Sequence, residues 1–235
     1  MQSNSTIDLN KITTIIFDVD GTLYDQSRLR KKMAVALLRY YAIRPWKLKD
    51  VLILHHFRAE REKMAGATCG NLEMVQYDWC AAKGNFSLDR IRQVVNHWMF
   101  QFPTKYLAAC TYPGVKSFFK VLRENNIRIG IYSDYEAVEK LNAMDLAADL
   151  VISSTHKDVD RLKPNPEGLL YITQKLDVKP EECLFIGDRE ELDGECAKSA
   201  GMPYLIVDKK PFNEFDFYHV LTNKLQSSKA KPEFV

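Results

Sequence analysis

The amino-acid sequence predicts an α/β fold: a doubly wound, mostly parallel sheet with an all-helical segment inserted after its first strand. Residues 12–17 form a β-branched and aromatic run without polar alternation, which is typical of a strand buried on both faces. Beyond residue 111, short apolar runs alternate with helical periods. Between these two regions the chain shows helical periodicity and turn residues but no strand pattern.

The first strand runs directly into two carboxylates, in the segment Asp18-Val19-Asp20-Gly21-Thr22. Aspartate is uncommon in strands, and two carboxylates this close repel each other unless a cation lies between them. Ligands of open parallel sheets bind beyond the carboxyl ends of the strands, where both side chains would project. This pattern favours a functional site, and a plain Asp-Gly turn is the alternative.

The inserted segment is expected to contain four helices. In the first of them Leu29, Met33 and Ala36 recur at helical spacing, and basic residues occupy the other faces. The four helical periods fall in residues 26–43, 48–64, 71–83 and 87–100. The tryptophans of this segment are expected to pack in its own core rather than to stack on a substrate: Trp46, Trp79 and Trp98.

Three more strands are expected after the inserted segment, in residues 127–132, 150–154 and 182–186. The first of these ends at Ser133-Asp134 and the last at Gly187-Asp188. Polar groups therefore follow the strands at the sheet edge where ligands of α/β proteins bind.

The charge of the chain is unevenly distributed, although its composition is ordinary for a globular protein, with 46% apolar and 27% charged residues. The net charge of +2 gives no reason to expect a nucleic-acid partner. Residues 24–108, however, hold 15 Lys and Arg against 7 Asp and Glu. A basic segment beside an acidic one suits an anionic substrate, and a solvated basic helix face is the alternative.

The five cysteines are odd in number and contain no CxxC pair, which indicates reduced thiols in a cytoplasmic protein rather than disulfides or a zinc site. The first ten residues are polar and no apolar run is longer than a strand, so neither a signal peptide nor a membrane partner is expected. Residues 226–235 have the composition of a mobile tail. Whether the chain is a monomer or a homodimer is left open.

Four segments resemble the four sequence motifs of the haloacid dehalogenase-like superfamily, in its phosphatase branch. The segment of Asp18 and Asp20 is similar to the first motif, DxDGT, and Ser133 fits the second. Lys163 before Pro-x-Pro resembles the third motif, and Asp188 with Asp193 resembles the fourth, GDxxxxD. The motifs occur in the family order, each at or near the end of an expected strand.

The resemblance implies a role for each of these residues. Asp18 would be the nucleophile that forms an aspartyl-phosphate, Asp20 the general acid/base, and Lys163 the cation that pairs with Asp18 and the phosphoryl group. The residues implied in binding the phosphate are Thr22, Ser133, Asp134 and Lys163. The ligands implied for a Mg²⁺ cofactor are Asp18, Asp20 through its backbone carbonyl, Asp188 and Asp193. Asp134 departs from the family pattern, because an acid beside a phosphate must be paired or turned away.

The resemblance also implies two domains. Residues 1–24 and 108–225 would form a Rossmann-like core, and residues 25–107 a helical cap that closes over the site and selects the substrate. The predicted activity is Mg²⁺-dependent hydrolysis of a small phosphorylated metabolite. A phosphomutase, a pyrophosphatase or a catalytically silent binding protein could retain the same site. The dehalogenase branch is disfavoured, since it lacks a carboxylate at the position of Asp20.

Overall fold

The computed structural model describes residues 7–67 and 70–229 of the chain. Its strands are β1 (Thr14–Phe17), β2 (Arg128–Ser133), β3 (Leu150–Ser153), β4 (Cys183–Gly187) and β5 (Tyr204–Ile206). All neighbouring strands are parallel, and they lie in the order β3-β2-β1-β4-β5. The prediction of a doubly wound, parallel α/β sheet is confirmed.

β1 lies at the centre of the sheet and is buried on both faces. Phe17 is in register with Ile131 of β2 and with Ile186 of β4. Ile15 and Phe17 belong to the hydrophobic core on one face of the sheet, and Ile16 belongs to the core on the other face. This burial explains the unbroken apolar run, and the parallel register brings the ends of three strands to one edge.

Helices cover both faces of the sheet. Their bounds are α1 (Gln26–Ala42), α2 (Asp50–Lys63), α3 (Leu72–Gly84), α4 (Leu88–Val95), α5 (Thr104–Cys110), α6 (Val115–Glu124), α7 (Val138–Met144), α8 (Glu167–Leu176), α9 (Glu195–Ser199) and α10 (Phe217–Lys229). Buried residues of α6, α7 and α10 pack on one face, and those of α8 and α9 pack on the other.

The segment between β1 and α5 is all-helical, as predicted, and it has a hydrophobic core of its own. Ile53 and Phe57 of α2, Cys80 of α3 and Ile91 of α4 are fully buried in this core. Each helix turns one apolar stripe inward, and these stripes pack against one another. The expected fourth helix consists of α4 and a wider π-helical turn that continues it over Asn96–Gln101.

The prediction for the tryptophans is wrong for Trp46. Trp98 is buried in the cap core and Trp79 is half-buried, whereas Trp46 leaves 74% of its surface exposed. Trp46 lies in a single 3-10 turn, Pro45–Lys47, that connects α1 to α2, and no residue of this turn is buried. A one-turn connection lies beyond the packed helix faces, so its side chains cannot reach the core between them.

The predicted limit of the cap at residue 107 falls inside α5, a helix that was not among the predicted ones. Leu107 and Cys110 of α5 are buried in the core cluster that α6 and α10 share. α5 therefore packs with the sheet although it begins before the predicted limit. The domain limits as such stay a prediction.

The tail that was expected from residue 226 begins within α10. The helix continues to Lys229, because Leu221 and Leu225 bury one of its faces against the core. The rest of the expected tail, residues 230–235, lies outside the described residues. Within residues 7–67 and 70–229, no helix combines the length and the apolar character needed to cross a membrane.

Candidate active site

A buried lysine joins two carboxylates at the carboxyl edge of the sheet. Lys163 Nζ lies 2.6 Å from Asp18 Oδ1 and 2.8 Å from Asp193 Oδ1. The side chain of Lys163 is 1% exposed, and those of its partners are 8% and 2% exposed. Burial alone would lower the pKa of Lys163, but Asp18 and Asp193 raise it well above its usual value. Lys163 is therefore a fixed cation in contact with Asp18.

Asp18, Asp188 and Asp193 form a carboxylate cluster whose ligand atoms lie within 4.8 Å of one another. Among the residues that the structure describes, this is the one group of at least three His, Cys, Asp or Glu side chains with such an arrangement. The backbone N–H groups of Asp188 and Arg189 both donate to Asp193 Oδ2, at 3.0 Å. Asp193 is thus held rigidly, with its other oxygen facing Lys163.

The donor set and the charge of this cluster fit a divalent cation. Burial raises the pKa of Asp18 to about 8, and repulsion from Asp193 and Asp188 adds to this effect, while Lys163 offsets only part of it. Burial also raises the pKa of Asp188, although Lys209 Nζ lies 2.9 Å from its Oδ2. The site therefore holds more buried carboxylate than its own cations neutralise. Hard carboxylate oxygens in such a place are ligands that Mg²⁺ prefers.

Asp20 lies outside this cluster and has a separate set of hydrogen-bond and ion-pair partners. Lys140 Nζ is 2.6 Å and 2.7 Å from its two carboxylate oxygens, and the Tyr24 hydroxyl donates to Oδ1. Burial by itself would raise the pKa of Asp20, but Lys140 outweighs burial and lowers it. Burial raises the pKa of Tyr24 well above its usual value, so the phenol remains a hydrogen-bond donor. The two carboxylates of the first motif thus have opposite environments.

Ser133 and Asp134 lie where β2 ends, beside β1. The Ser133 hydroxyl is buried and accepts a hydrogen bond from the backbone N–H of Tyr135 at 3.4 Å. Asp134 Oδ1 accepts hydrogen bonds from the Ser154 hydroxyl at 2.9 Å and from the backbone N–H of Lys163 at 3.4 Å. The Asp134 carboxylate therefore has hydrogen-bond donors within the protein itself. They favour positioning of the Lys163 loop over direct contact of the Asp134 carboxylate with a phosphate.

Thr22 is placed against Asp18. Its hydroxyl donates to Asp18 Oδ2 at 3.0 Å, on the oxygen that Lys163 does not contact. The backbone carbonyl of Thr22 accepts a hydrogen bond from the hydroxyl of Tyr218 in α10, at 2.7 Å. Thr22 therefore orients Asp18, and its implied contact with a phosphate stays a prediction.

The cap touches the loops of the site through the end of α2. The guanidinium of Arg61 donates to the backbone carbonyl of Asp134. The backbone N–H of Gly66 donates to the carbonyl of Lys163 at 3.2 Å, and Glu62 contacts the loop after β4. One helical turn of the cap and the residues after it thus reach the loops that carry the second, third and fourth motifs.

Three side chains that contact Asp20 or Asp188 were not identified from the sequence: Tyr24, Lys140 and Lys209. A signal existed for Lys140. Ala137, Lys140, Leu141 and Met144 are all buried and lie at helical spacing, so the lysine occupies a core position of α7. A lysine at a core position indicates a buried anionic partner. No comparable pattern marks the other two.

The sequence and the fold are similar to those of known proteins. A family model described as haloacid dehalogenase-like hydrolase matches residues 12–201. The chain belongs to this family. The pyrophosphatase PpaX of Bacillus thuringiensis (strain Al Hakam) is 28% identical over 188 residues, which cover 76% of this chain and 75% of PpaX. YhcW of Bacillus subtilis (strain 168) is 36% identical over 102 residues, and this match spans 46% of YhcW and 42% of the hydrolase.

Solved structures share the fold. The β-phosphoglucomutase of Clostridium difficile superposes with a TM-score of 0.59 at 19% identity, over 94% of this chain and 100% of that one. The 2-haloacid dehalogenase of Pseudomonas syringae pv. Tomato DC3000 has a TM-score of 0.60 at 15% identity, over 93% and 100% of the two chains. At these identities the likeness supports the architecture of the hydrolase, a parallel sheet with an inserted helical cap.

Proposed function

We propose that this hydrolase is a Mg²⁺-dependent phosphatase that cleaves a small phosphorylated metabolite through an aspartyl-phosphate on Asp18. The observation that carries the proposal is the division of the first motif between two environments. Asp18 contacts Lys163 and the acidic cluster, whereas Asp20 contacts Lys140. A nucleophile beside a cation site and a separate proton-transfer group are what two-step phosphoryl transfer requires.

Asp18 is suited to attack phosphorus because its carboxylate is held on both sides. Thr22 donates to one oxygen and Lys163 to the other, so the group has little rotational freedom to lose on reaction. Lys163 would also stabilise the charge on the phosphoryl oxygens as they pass between substrate and enzyme. Phosphoryl transfer depends mostly on such positioning and charge stabilisation.

Asp20 would protonate the leaving alcohol in the first step and take a proton from water in the second. Its contact with Lys140 lowers the pKa and favours the base form. Separation from Lys140 would leave burial as the dominant influence and would favour the acid form. Movement of Asp20 between Lys140 and the substrate is therefore part of the proposal.

The residues that would hold Mg²⁺ are Asp18, Asp188 and Asp193, with the backbone carbonyl of Asp20 as a further ligand. When bound, the ion would neutralise the buried carboxylates and polarise the phosphoryl group. Lys209 is 58% exposed, so it can leave Asp188 at little cost.

The metal requirement can be tested with p-nitrophenyl phosphate. We expect turnover with Mg²⁺ and none after chelation. Asp188→Asn should raise the Mg²⁺ concentration for half-maximal rate by at least about tenfold, since it removes a ligand oxygen. Asp177→Asn is the matched control, because Asp177 is an exposed residue at the end of α8. An unchanged Mg²⁺ dependence in Asp188→Asn would remove Asp188 from the site.

Gly21→Ala should weaken Mg²⁺ binding, measured by calorimetric titration, without changing any carboxylate. A Cβ at Gly21 would clash with Asp188 Oδ2, so Asp188 must move. Gly201→Ala is a matched control: both glycines have positive φ, +95° and +67°, but a Cβ at Gly201 meets nothing within 4 Å. Equal Mg²⁺ affinity in the two variants would show that the contact with Asp188 does not matter for the metal.

A pyrophosphatase is the second candidate, supported by the match to PpaX over 76% of the chain. A panel of pyrophosphate, sugar phosphates, nucleotides and phospho-amino acids separates the candidates by kcat/KM. Preference for pyrophosphate over every monoester would favour the second candidate, and transfer of phosphate within a sugar without release would indicate a mutase. No turnover of any compound would leave only a binding role.

A cytoplasmic location and the lack of a nucleic-acid partner stay predictions.

A further inference from the structure

The connection between α1 and α2 carries an unusual concentration of exposed apolar side chains. Among the residues that the structure describes, twelve large apolar side chains are exposed, and seven of them fall between residues 35 and 52. Five of these seven define what we call the α1–α2 surface: Val35, Leu38, Ile43, Trp46 and Leu48. Their exposed fractions are 50%, 71%, 66%, 74% and 58%. Clusters of this kind mark interaction sites rather than chance exposure.

The helix geometry places these side chains together. Val35, Leu38 and Ala42 are spaced by three and four residues and are all exposed, so they share one stripe of α1. Ile43 follows directly at the end of the helix. The backbone N–H of Arg44 donates to the carbonyl of Tyr41 in α1, and the N–H of Lys47 donates to the carbonyl of Arg44, so the turn Pro45–Lys47 follows the helix closely. The apolar stripe of α1 therefore continues into the connection that carries Trp46.

The surface is also strongly and uniformly basic. Residues 26–49 contain eight Lys and Arg and no Asp or Glu. Four of these cations lie among or next to the apolar residues: Arg39, Arg44, Lys47 and Lys49. Of the carboxylates in the described part of the chain, none forms an ion pair with any of the eight. The next acid along the chain, Asp50, is buried and already paired with Arg90.

We propose that the α1–α2 surface binds peripherally to anionic lipid bilayers. Tryptophan and branched aliphatic side chains that are interleaved with Lys and Arg are the composition of interfacial segments. The apolar side chains would enter the boundary between headgroups and acyl chains, and the cations would contact lipid phosphates and carboxylates. This role goes beyond the phosphatase activity and does not depend on it. It also departs from the expectation of no membrane partner, which considered spanning segments only.

Other occupants fit the surface less well. A two-fold contact between copies would place two sets of these four cations, which have no ion-pair partner among the described residues, against each other. The phosphates of a nucleic acid would contact the cations, and a base could stack on Trp46. Leu38 and Ile43, however, would remain without an apolar partner. An acidic protein segment could satisfy the charge, and the experiment below distinguishes it from lipid.

The test is co-sedimentation of the full chain with phosphatidylcholine vesicles that contain or lack phosphatidylserine. We expect binding only to the anionic vesicles, weakened by salt. Lys47→Gln with Lys49→Gln should lower the affinity by about 25-fold, at roughly fivefold per charge. Leu38→Ser with Trp46→Ser should lower it by at least as much. Hydrolysis of a soluble substrate should not change in either double variant.

Matched controls lie on the core domain. Leu170 and Val220 are exposed by 40% and 43%, so Leu170→Ser with Val220→Ser removes two exposed apolar side chains elsewhere. Lys116→Gln with Lys120→Gln removes the same charge from α6. We expect both controls to bind the anionic vesicles like the wild type.

Several results would overturn the proposal. Failure to bind phosphatidylserine vesicles, equal binding to neutral vesicles, or equal losses in the controls would each do so. Binding to polyglutamate as tight as to vesicles, and insensitive to Leu38→Ser with Trp46→Ser, would assign the surface to an acidic protein. A dimer that the same double variant converts to a monomer in light scattering would assign it to a second copy of the chain.

Discussion

Asp18→Asn should abolish turnover of every phosphate ester, by more than about 10⁴-fold relative to the wild type. The asparagine amide has nearly the same shape, and its oxygen can still accept a hydrogen bond from Lys163, but it cannot attack phosphorus. No aspartyl-phosphate should therefore form. The measurements are nitrophenolate release from p-nitrophenyl phosphate and intact mass after acid quenching. A mass increase corresponding to one phosphoryl group in this variant would exclude Asp18 as the nucleophile.

The same variant should remain folded, which separates loss of chemistry from loss of structure. Burial raises the pKa of Asp18 from 3.8 to about 8, so between these pH values the unfolded chain ionises this group while the folded protein keeps it protonated, and the metal-free protein loses stability as the pH rises. Asparagine avoids this penalty. We expect Asp18→Asn to unfold at the same or a higher temperature than the wild type at pH 7 without metal, and the advantage should fade below about pH 4. Asp177→Asn should change neither activity nor stability.

The sheet and the residues at its carboxyl edge could be predicted because the chain itself encodes them. Burial of β1 on both faces produces the apolar run, and the parallel register then brings Asp18, Ser133 and Asp188 to the same edge. The ends of the elements were less predictable. Ile12 is buried but lies before β1, so the apolar pattern extends further than the strand pairing. α5 was missed because its seven residues span less than two full helical periods.

Side-chain partners between distant segments were not predictable in the same way. Asp20 and Lys140 are 120 residues apart, and their contact depends on how α7 packs beside the end of β1. The pairing of Asp134 with Ser154 likewise depends on the loop after β3. The exposure of Trp46 was not predictable either, because an apolar residue in a basic segment can belong to a core or to an exposed surface. Periodicity within one element cannot decide between them.

Asp20→Asn should separate the two chemical steps. The amide can neither donate the proton to the leaving group nor accept one from water, a contribution of roughly 10²–10⁴-fold. Nitrophenolate leaves readily as an anion, so with p-nitrophenyl phosphate the first step should be slowed little while hydrolysis of the aspartyl-phosphate stalls. We expect a burst of nitrophenolate, slow turnover, and a phosphorylated protein by intact mass. An alkyl phosphate should give no burst, because its first step also needs the acid.

Lys140 provides the control that distinguishes lost proton transfer from local disruption. Asp20→Asn leaves a nearly buried ammonium without its carboxylate, at a cost on the order of 3 kcal/mol. Asp20→Asn with Lys140→Met removes both charges and should recover thermal stability. It should still show the burst and the slow second step, because no base has been restored. Recovery of turnover in the double variant would attribute the defect to the stranded charge. If Asp20→Asn alone gave neither burst nor phosphorylated protein while Asp18→Asn kept turning over, the two roles would have been assigned to the wrong aspartates.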